Sequence, residues 1–237
     1  MIKRLKDAYL RHVERQENIQ KSLNEINWAN CFHDSIRGYK KIEDLNLNIG
    51  RWAGGYPFFY CLFRVLNQPR TLNVLEMGLG ESSKFISIYL SSYSKKSKHI
   101  ILEHNIEWKE HYLRLNRLTN NSEVLLSELE VIDNEPCSYE EIKNIDGNDF
   151  NVFVVDGPIG TKTHSRVDIC KVIDDFKQNK SFVILIDDTN RQGEKNTLDN
   201  AFQILREKNI EFFTKDINGV KQCTLITSSD NRFLTSI

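Results

Sequence analysis

Three aspartates follow directly on two apolar runs in the second half of the chain. Asp156 closes FNVFVVD, and Asp187 and Asp188 close SFVILIDD. Short apolar runs bounded by polar residues read as buried strands, and in an open α/β sheet ligands sit beyond the carboxyl ends of the strands. Carboxylates that converge there repel one another unless they are protonated or bound to a cation, and a hard, oxygen-seeking ion resolves the repulsion. The same acids also suit structural roles: Asp156 can open a turn with Gly157-Pro158, and Asp188 can cap the helix that follows.

A second group lies earlier. LNVLEM runs into Gly78-Leu79-Gly80-Glu81-Ser82-Ser83 and then into the helical pattern KFISIYLSSY. Glycines let the backbone turn sharply beneath a ligand, and the helix start presents free amides; a two-glycine turn also serves as a plain strand-to-helix connection. HIILEH then ends in Glu103, roughly 20 residues beyond the glycines, where an acid can accept both hydroxyls of a ribose. Together these read as an adenosine site. His104 and the pair Ser127-Glu128, just beyond the next strand ends, are candidates for the adenine edge or simply solvated loop residues. His164, in the loop after Asp156, is the preferred general base, with Lys162 the alternative.

EMGLGES resembles the first motif of class I S-adenosylmethionine-dependent methyltransferases, with Glu76 as the acid two residues before the first glycine. That resemblance implies that Gly78, Gly80, Glu81, Ser82 and Ser83 line the methionine end of S-adenosylmethionine. Glu76 would orient the loop or the amino group, and Glu103 would hold the ribose. Ser82 stands where an NAD site more often has a third glycine. Asp156, Asp187 and Asp188 resemble the Mg²⁺ ligands of metal-dependent O-methyltransferases of the catechol and macrolide-sugar types, which implies an ion that chelates the acceptor hydroxyl and lowers its pKa so that the alkoxide attacks the sulfonium methyl in line. A tighter likeness is carried by DGPIGTKTHSRVD and IDDTNRQGEKNT, in which Asp156, Gly157, Pro158, Gly160, Arg166, Asp188, Arg191 and Glu194 match the glucuronoxylan 4-O-methyltransferase family. Trp108 in LEHNIEW adds to it, and the likeness spans roughly residues 73 to 200. It implies a sugar hydroxyl as acceptor, with Arg166, Arg191 and Lys162 available to a carboxylate such as that of a uronic acid. Arg191 and Glu194 also have the three-residue spacing of a helical ion pair.

The elements that must position these residues follow from periodicity. LNVLEM, HIILEH, EVLLSE, FNVFVVD and SFVILIDD alternate with amphipathic segments, which implies parallel strands with helices on both faces. EFFTKDI and VKQCTLITS flank Asn218-Gly219, a dipeptide favoured in type I′ hairpin turns. The expected fold is therefore α/β and Rossmann-like: a mostly parallel seven-stranded sheet ending in an antiparallel hairpin, as the methyltransferase version of the fold does. Residues 1–56 are expected to form an N-terminal helical extension and lid segment, and residues 57–237 the S-adenosylmethionine-binding domain. In the extension, Ile2, Leu5, Tyr9, His12, Gln16, Ile19, Leu23 and Ile26 recur at heptad-like spacing. His12 and Gln16 interrupt the stripe, which favours a helix packed on its own domain over one that joins a homodimer. Trp52 and Tyr56 flank Gly54-Gly55 and could form a lid or anchor the core.

Composition narrows the class. The chain has 237 residues, 40% hydrophobic and 27% charged, with four Pro and eleven Gly, as in a globular domain rather than a disordered or collagen-like chain. Lys and Arg (32) nearly balance Asp and Glu (33), so no global field draws it to nucleic acid or a membrane. The cysteines, at 31, 61, 137, 170 and 223, lack the close pairing of a zinc site and read as reduced thiols. With no run of about 18 apolar residues and no signal peptide, the expected location is the cytoplasm. The sequence reading is thus a Mg²⁺-assisted O-methyltransferase acting on a small-molecule or saccharide acceptor. Its rivals are a metal-independent N-methyl- or aminopropyl-transferase with Asp156 as base, a non-catalytic partner protein of the same fold, and an NAD-dependent enzyme.

Overall fold

The computed structural model describes residues 2–132 and 135–237. In chain order the helices are α1 (Ile2–Ser35), α2 (Lys40–Glu43), α3 (Tyr56–Leu66), α4 (Glu81–Tyr93), α5 (Ile106–Leu115), α6 (Asp168–Asp174) and α7 (Gln192–Glu207). The strands are β1 (Asn73–Met77), β2 (Lys98–Glu103), β3 (Ser122–Leu126), β4 (Leu129–Ile132), β5 (Glu135–Tyr139), β6 (Val152–Val155), β7 (Val183–Ile186), β8 (Phe212–Asn218) and β9 (Gln222–Ser228). Seven of them form one sheet in the order β3-β2-β1-β6-β7-β9-β8. The first five run parallel, and β9 runs antiparallel to both β7 and β8. This is the expected architecture.

The apolar runs become central strands because both faces of the sheet are covered. Successive side chains point to opposite faces. Val74, Val152, Val154, Val183 and Leu185 pack with α3, α4 and the end of α1. Leu75, Met77, Phe153, Val155, Ile184 and Ile186 pack on the other face with α6 and α7. At the carboxyl edge the ladders run level: Met77 pairs with Leu102 and Val155, and Val155 with Ile186. Gly78, Glu103, Asp156 and Asp187 therefore emerge side by side.

Three details differ from the sequence reading. Only the end of α1 packs on its own domain: Trp28 donates to the Asn218 carbonyl at 3.1 Å, and Phe32 meets Phe59 and Phe85. Earlier in the stripe Tyr9 is 66% exposed, and Ile19 and Leu23 are exposed as well; the Ile2 and Leu5 side chains lie outside the described residues. The hairpin turn is not the two-residue type: Asn218 pairs with Gln222, leaving Gly219, Val220 and Lys221 as a three-residue loop. Tertiary contact overrides the local preference, because Glu25 of α1 accepts the Val220 amide at 2.8 Å and lies hard against Gly219. Finally, the segment after β3 forms a small antiparallel sheet of β4 and β5, which periodicity did not reveal.

Candidate functional site

The glycine turn opens with Gly78 at φ +103°, where a side chain would be strained, and a Cβ there would stand 3.1–3.2 Å from the backbone of Asp156 and Gly157. Two strand ends thus pass at backbone contact. Gly80 begins α4 as its N-cap and exchanges hydrogen bonds with Ser83: its amide donates to Ser83 Oγ at 3.0 Å, and its carbonyl accepts the Ser83 amide at 3.1 Å. Nothing lies within 4 Å of where a Gly80 Cβ would be. Glu81 turns outward and accepts the Asn48 amide at 3.1 Å, tying the segment before α3 to the start of α4. Ser82 and Ser83 are buried.

Glu103 is buried beside this turn. Its Oε2 accepts the Leu79 amide at 3.1 Å, and its Oε1 accepts the amides of His104 and Asn105 at 2.8 and 2.7 Å. Burial alone would raise its pKa; the His104 side chain and the backbone amides outweigh that and hold it below the usual carboxylate range. A carboxylate has about four acceptor positions, so the three amides leave one for a ribose hydroxyl rather than the expected two. His104 is half-buried, with Nδ1 3.2 Å from Glu103 Oε1. The Ser127 hydroxyl is spent on the backbone, donating to the Glu128 carbonyl and accepting the Glu141 amide. Glu128 is engaged through that carbonyl, which also accepts the Glu140 amide. Glu76 points into the sheet interior and bonds His99 Nε2 at 2.8 Å, with His99 Nδ1 3.0 Å from Ser122 Oγ. It stitches β1 to β2 and β3 beneath the turn.

The three aspartates do meet: one carboxylate oxygen from each lies within 4.8 Å of the others. They do not meet alone. Arg166 Nη2 lies 2.9 Å from Asp156 Oδ1 and 3.0 Å from Asp188 Oδ2, and Nη1 donates to the Asp187 carbonyl. Lys221, from the hairpin loop, stands 3.5 Å from both Asp187 Oδ2 and Asp188 Oδ1 and donates to the Ala53 carbonyl. Arg191 adds a 3.0 Å pair to Asp188 Oδ2. Burial pushes Asp156 up to about 7 against the pull of Arg166, with Asp187 adding to the rise. Asp187 is likewise raised, by burial and then by Asp188. Burial would lower Arg166, but Asp156, Asp187, Asp188 and Glu194 together hold it above its ordinary value.

Several expectations take a different form here. Arg166, expected to face a substrate, is 5% exposed and committed to the acids. Arg191 pairs with Asp188 rather than Glu194, because it is the N-cap of α7 and the helical spacing rule does not reach it. Glu194 instead accepts from Ser165 Oγ at 2.9 Å. Asp188 does not cap α7; its side chain faces the cations, and only its carbonyl meets the Arg191 amide. The Lys162 side chain is exposed, and His164 closes a turn with Thr161. Trp52 is 96% exposed and so is no core anchor, whereas Tyr56 packs on Phe32 and His33. Two contributors escaped sequence reading. Lys221 gave no local signal, and Tyr139 lies on the unforeseen β5 with a buried hydroxyl that has no hydrogen-bond partner among the described residues and stands close to Gly157.

A resident Mg²⁺ does not fit among these acids. It would need oxygens at about 2.0–2.1 Å, and a guanidinium nitrogen already lies between Asp156 and Asp188 at hydrogen-bond distance.

No family model matches the chain, and no curated protein matches it. Among solved structures it is similar to the O-methyltransferase TomG of Streptomyces achromogenes, involved in tomaymycin synthesis and determined in complex with S-adenosylmethionine. That likeness has a TM-score of 0.54 at 12% identity and covers 90% of this chain and 98% of that one. Precorrin-6y C5,15-methyltransferase from Geobacter metallireducens aligns over 73% of this chain and 88% of its own, with a TM-score of 0.44 and 13% identity. The likeness to TomG shows the fold: a seven-stranded, Rossmann-like sheet of the methyltransferase kind. Among the described residues no helix is long and apolar enough to cross a membrane.

Proposed function

We propose that the chain is an S-adenosylmethionine-dependent O-methyltransferase acting on a hydroxyl of a carbohydrate or sugar precursor. The observation that supports it most is the succession, on one carboxyl edge, of the Gly78 turn, Glu103 and Asp156 at the ends of the neighbouring strands β1, β2 and β6. Gly80, Ser82 and Ser83 at the start of α4 would hold the methionine end, where the helix amides favour a carboxylate. Glu103 would engage the ribose through its remaining acceptor position. When bound, S-adenosylmethionine supplies an electrophilic methyl group.

Asp156 would take the proton of the acceptor hydroxyl. Burial raises its pKa to about 7, towards the working pH, which suits a general base. The Arg166 guanidinium favours the ionised form. His164 and Lys162 remain alternative bases on the loop that follows. The sugar acceptor rests on the likeness of the Asp156–Glu194 motifs to the glucuronoxylan 4-O-methyltransferases. Since Arg166 is committed to the acids, the cations left for an acidic sugar are Arg191, 58% exposed, and Lys162.

The test is transfer of labelled methyl from S-adenosylmethionine to a panel of sugar nucleotides, acidic oligosaccharides and amines. Labelled sugar product, lost in Asp156→Asn, supports the reading, and product on amines alone would replace the acceptor class. No thermal stabilisation by S-adenosylmethionine would point to a non-catalytic domain.

A further inference from the structure

We propose that Arg166 is a built-in cation that takes the position a divalent ion would hold among Asp156, Asp187 and Asp188, so that this site works without metal. The inference goes beyond the reading above and holds whether or not the chain transfers methyl groups. Its first support is geometric. The guanidinium bridges all three acidic positions at once, through the carboxylates of Asp156 and Asp188 and the carbonyl of Asp187, and its Nε lies 3.8 Å from Glu194 Oε1. A planar fork satisfies several carboxylates where a flexible ammonium could not.

The second support is the backbone. Arg166 and Asp188, the two ends of one ion pair, both sit at φ +58°. Non-glycine residues seldom adopt that conformation, and they persist in it where the surroundings over-determine them. The preceding residue is clamped as well: a Cβ on Gly160 would fall 2.1 Å from Ser165 Oγ, so Ser165 is pressed against that turn. Ser165 in turn donates to Glu194, the fourth carboxylate around the guanidinium. The arginine is held in its place rather than resting there.

The third support is charge. Asp156, Asp187, Asp188 and Glu194 face Arg166, Lys221 and Arg191, so three cations already neutralise most of the charge of the four acids. A divalent ion added to that set would meet like charge in a buried site. The cations engage Asp156 Oδ1, Asp187 Oδ2 and both oxygens of Asp188, while Asp187 Oδ1 is buried with no hydrogen-bond partner among the described residues. An arginine cannot chelate an acceptor hydroxyl or give up its own proton, so the proton of any acceptor must go to a carboxylate or another base.

The experiment is a Mn²⁺ titration followed by electron paramagnetic resonance of the free ion, on the wild-type chain and on Arg166→Gly, which keeps the positive φ while removing the guanidinium. The wild type should show no saturable uptake up to millimolar Mn²⁺. Arg166→Gly should bind one ion per chain, and the further change Asp187→Asn should weaken that binding at least tenfold. Stoichiometric Mn²⁺ uptake by the wild type, lost on Asp187→Asn, would overturn the proposal, as would a folded Arg166→Gly that takes up none. Should the glycine variant fail to fold, Arg166→Asn, which also tolerates positive φ, serves in its place, and the wild-type titration alone remains decisive.

Discussion

Replacing Arg166 by Met keeps a long side chain at a residue of the same φ and deletes only the charge. In the wild type the guanidinium touches the half-buried Asp156 carboxylate at 2.9 Å and the buried Asp188 carboxylate at 3.0 Å. Removing one partner of such a buried cluster costs about 3–5 kcal/mol, and the loss should depend on pH in a defined direction. An unfolded aspartate titrates near 3.9, whereas burial lifts folded Asp156 to about 7. Between those values the folded state keeps a proton that the unfolded state has released. Stability from this group is therefore fully present below about 4 and falls as pH rises through 7. Arg166 pulls Asp156 down, so Arg166→Met moves the folded value higher still. The difference between variant and wild type should be smallest near pH 5, where folded Asp156 is protonated in both. It should then widen by up to about 1.4 kcal/mol per pH unit above 7. Urea unfolding at half-unit steps from pH 5.5 to 9 measures this directly. A destabilisation that stays flat across that range would refute the reasoning, since it would mean that Arg166 contributes packing alone.

Gly78→Ala should cost about 1–3 kcal/mol in urea unfolding, because its φ of +103° and its contact with the Asp156-Gly157 backbone leave no relaxed place for a methyl group. Gly80→Ala, with open space at that point, should leave the urea midpoint unchanged while reducing the thermal shift produced by S-adenosylmethionine. Glu103→Ala should abolish that shift; a full wild-type shift would remove Glu103 from the cofactor site. Tyr139→Phe deletes a buried hydroxyl that has no hydrogen-bond partner among the described residues and should stabilise the fold by about 1 kcal/mol. A fall in stability would show that the hydroxyl is bonded. Deleting residues 1–22, where Tyr9, Leu10 and Ile19 are exposed, should move Tm by less than about 2 °C in a chain of this size; a larger drop would show that a partner covers the stripe.

The five parallel strands of the main sheet were legible from their apolar runs, and the antiparallel pair β8-β9 from the Asn218-Gly219 dipeptide between two such runs. β4 and β5 were not, being four and five residues long, with Val131 exposed and no sustained alternation to mark them. The site divides in the same way. Gly78, Asp156 and Asp187 could be placed because each follows the last residue of a strand, and Glu103 because it is one. The counter-charges could not be placed. Arg166 lies on an irregular loop, and its three partners stand at sequence separations of 10, 21 and 22. Local spacing paired Arg191 with Glu194, whereas the folded chain gives Glu194 to Ser165 and Arg191 to Asp188. Helical spacing describes neighbours within a helix, and Arg191 stands at its entrance.

Lys221 shows why topology rather than local sequence decides how the acids are neutralised. A parallel strand beside β7 would begin at the opposite edge of the sheet, four residues or roughly 13 Å from Asp187. Its leading loop could bring no charge to the carboxyl edge. β9 runs the other way: Thr224 pairs with Ile186, and the Thr189 amide donates to the Gln222 carbonyl, so the residues just before β9 arrive beside Asp187 and Asp188. The antiparallel finish of the sheet is thus what delivers an ammonium group to the strand-end acids. The same lysine donates to the Ala53 carbonyl at 3.0 Å, so the segment that carries Trp52 is anchored to those acids through one side chain. Neutralisation of the acids and placement of the segment over the site are one structural event, because both depend on where the hairpin turns.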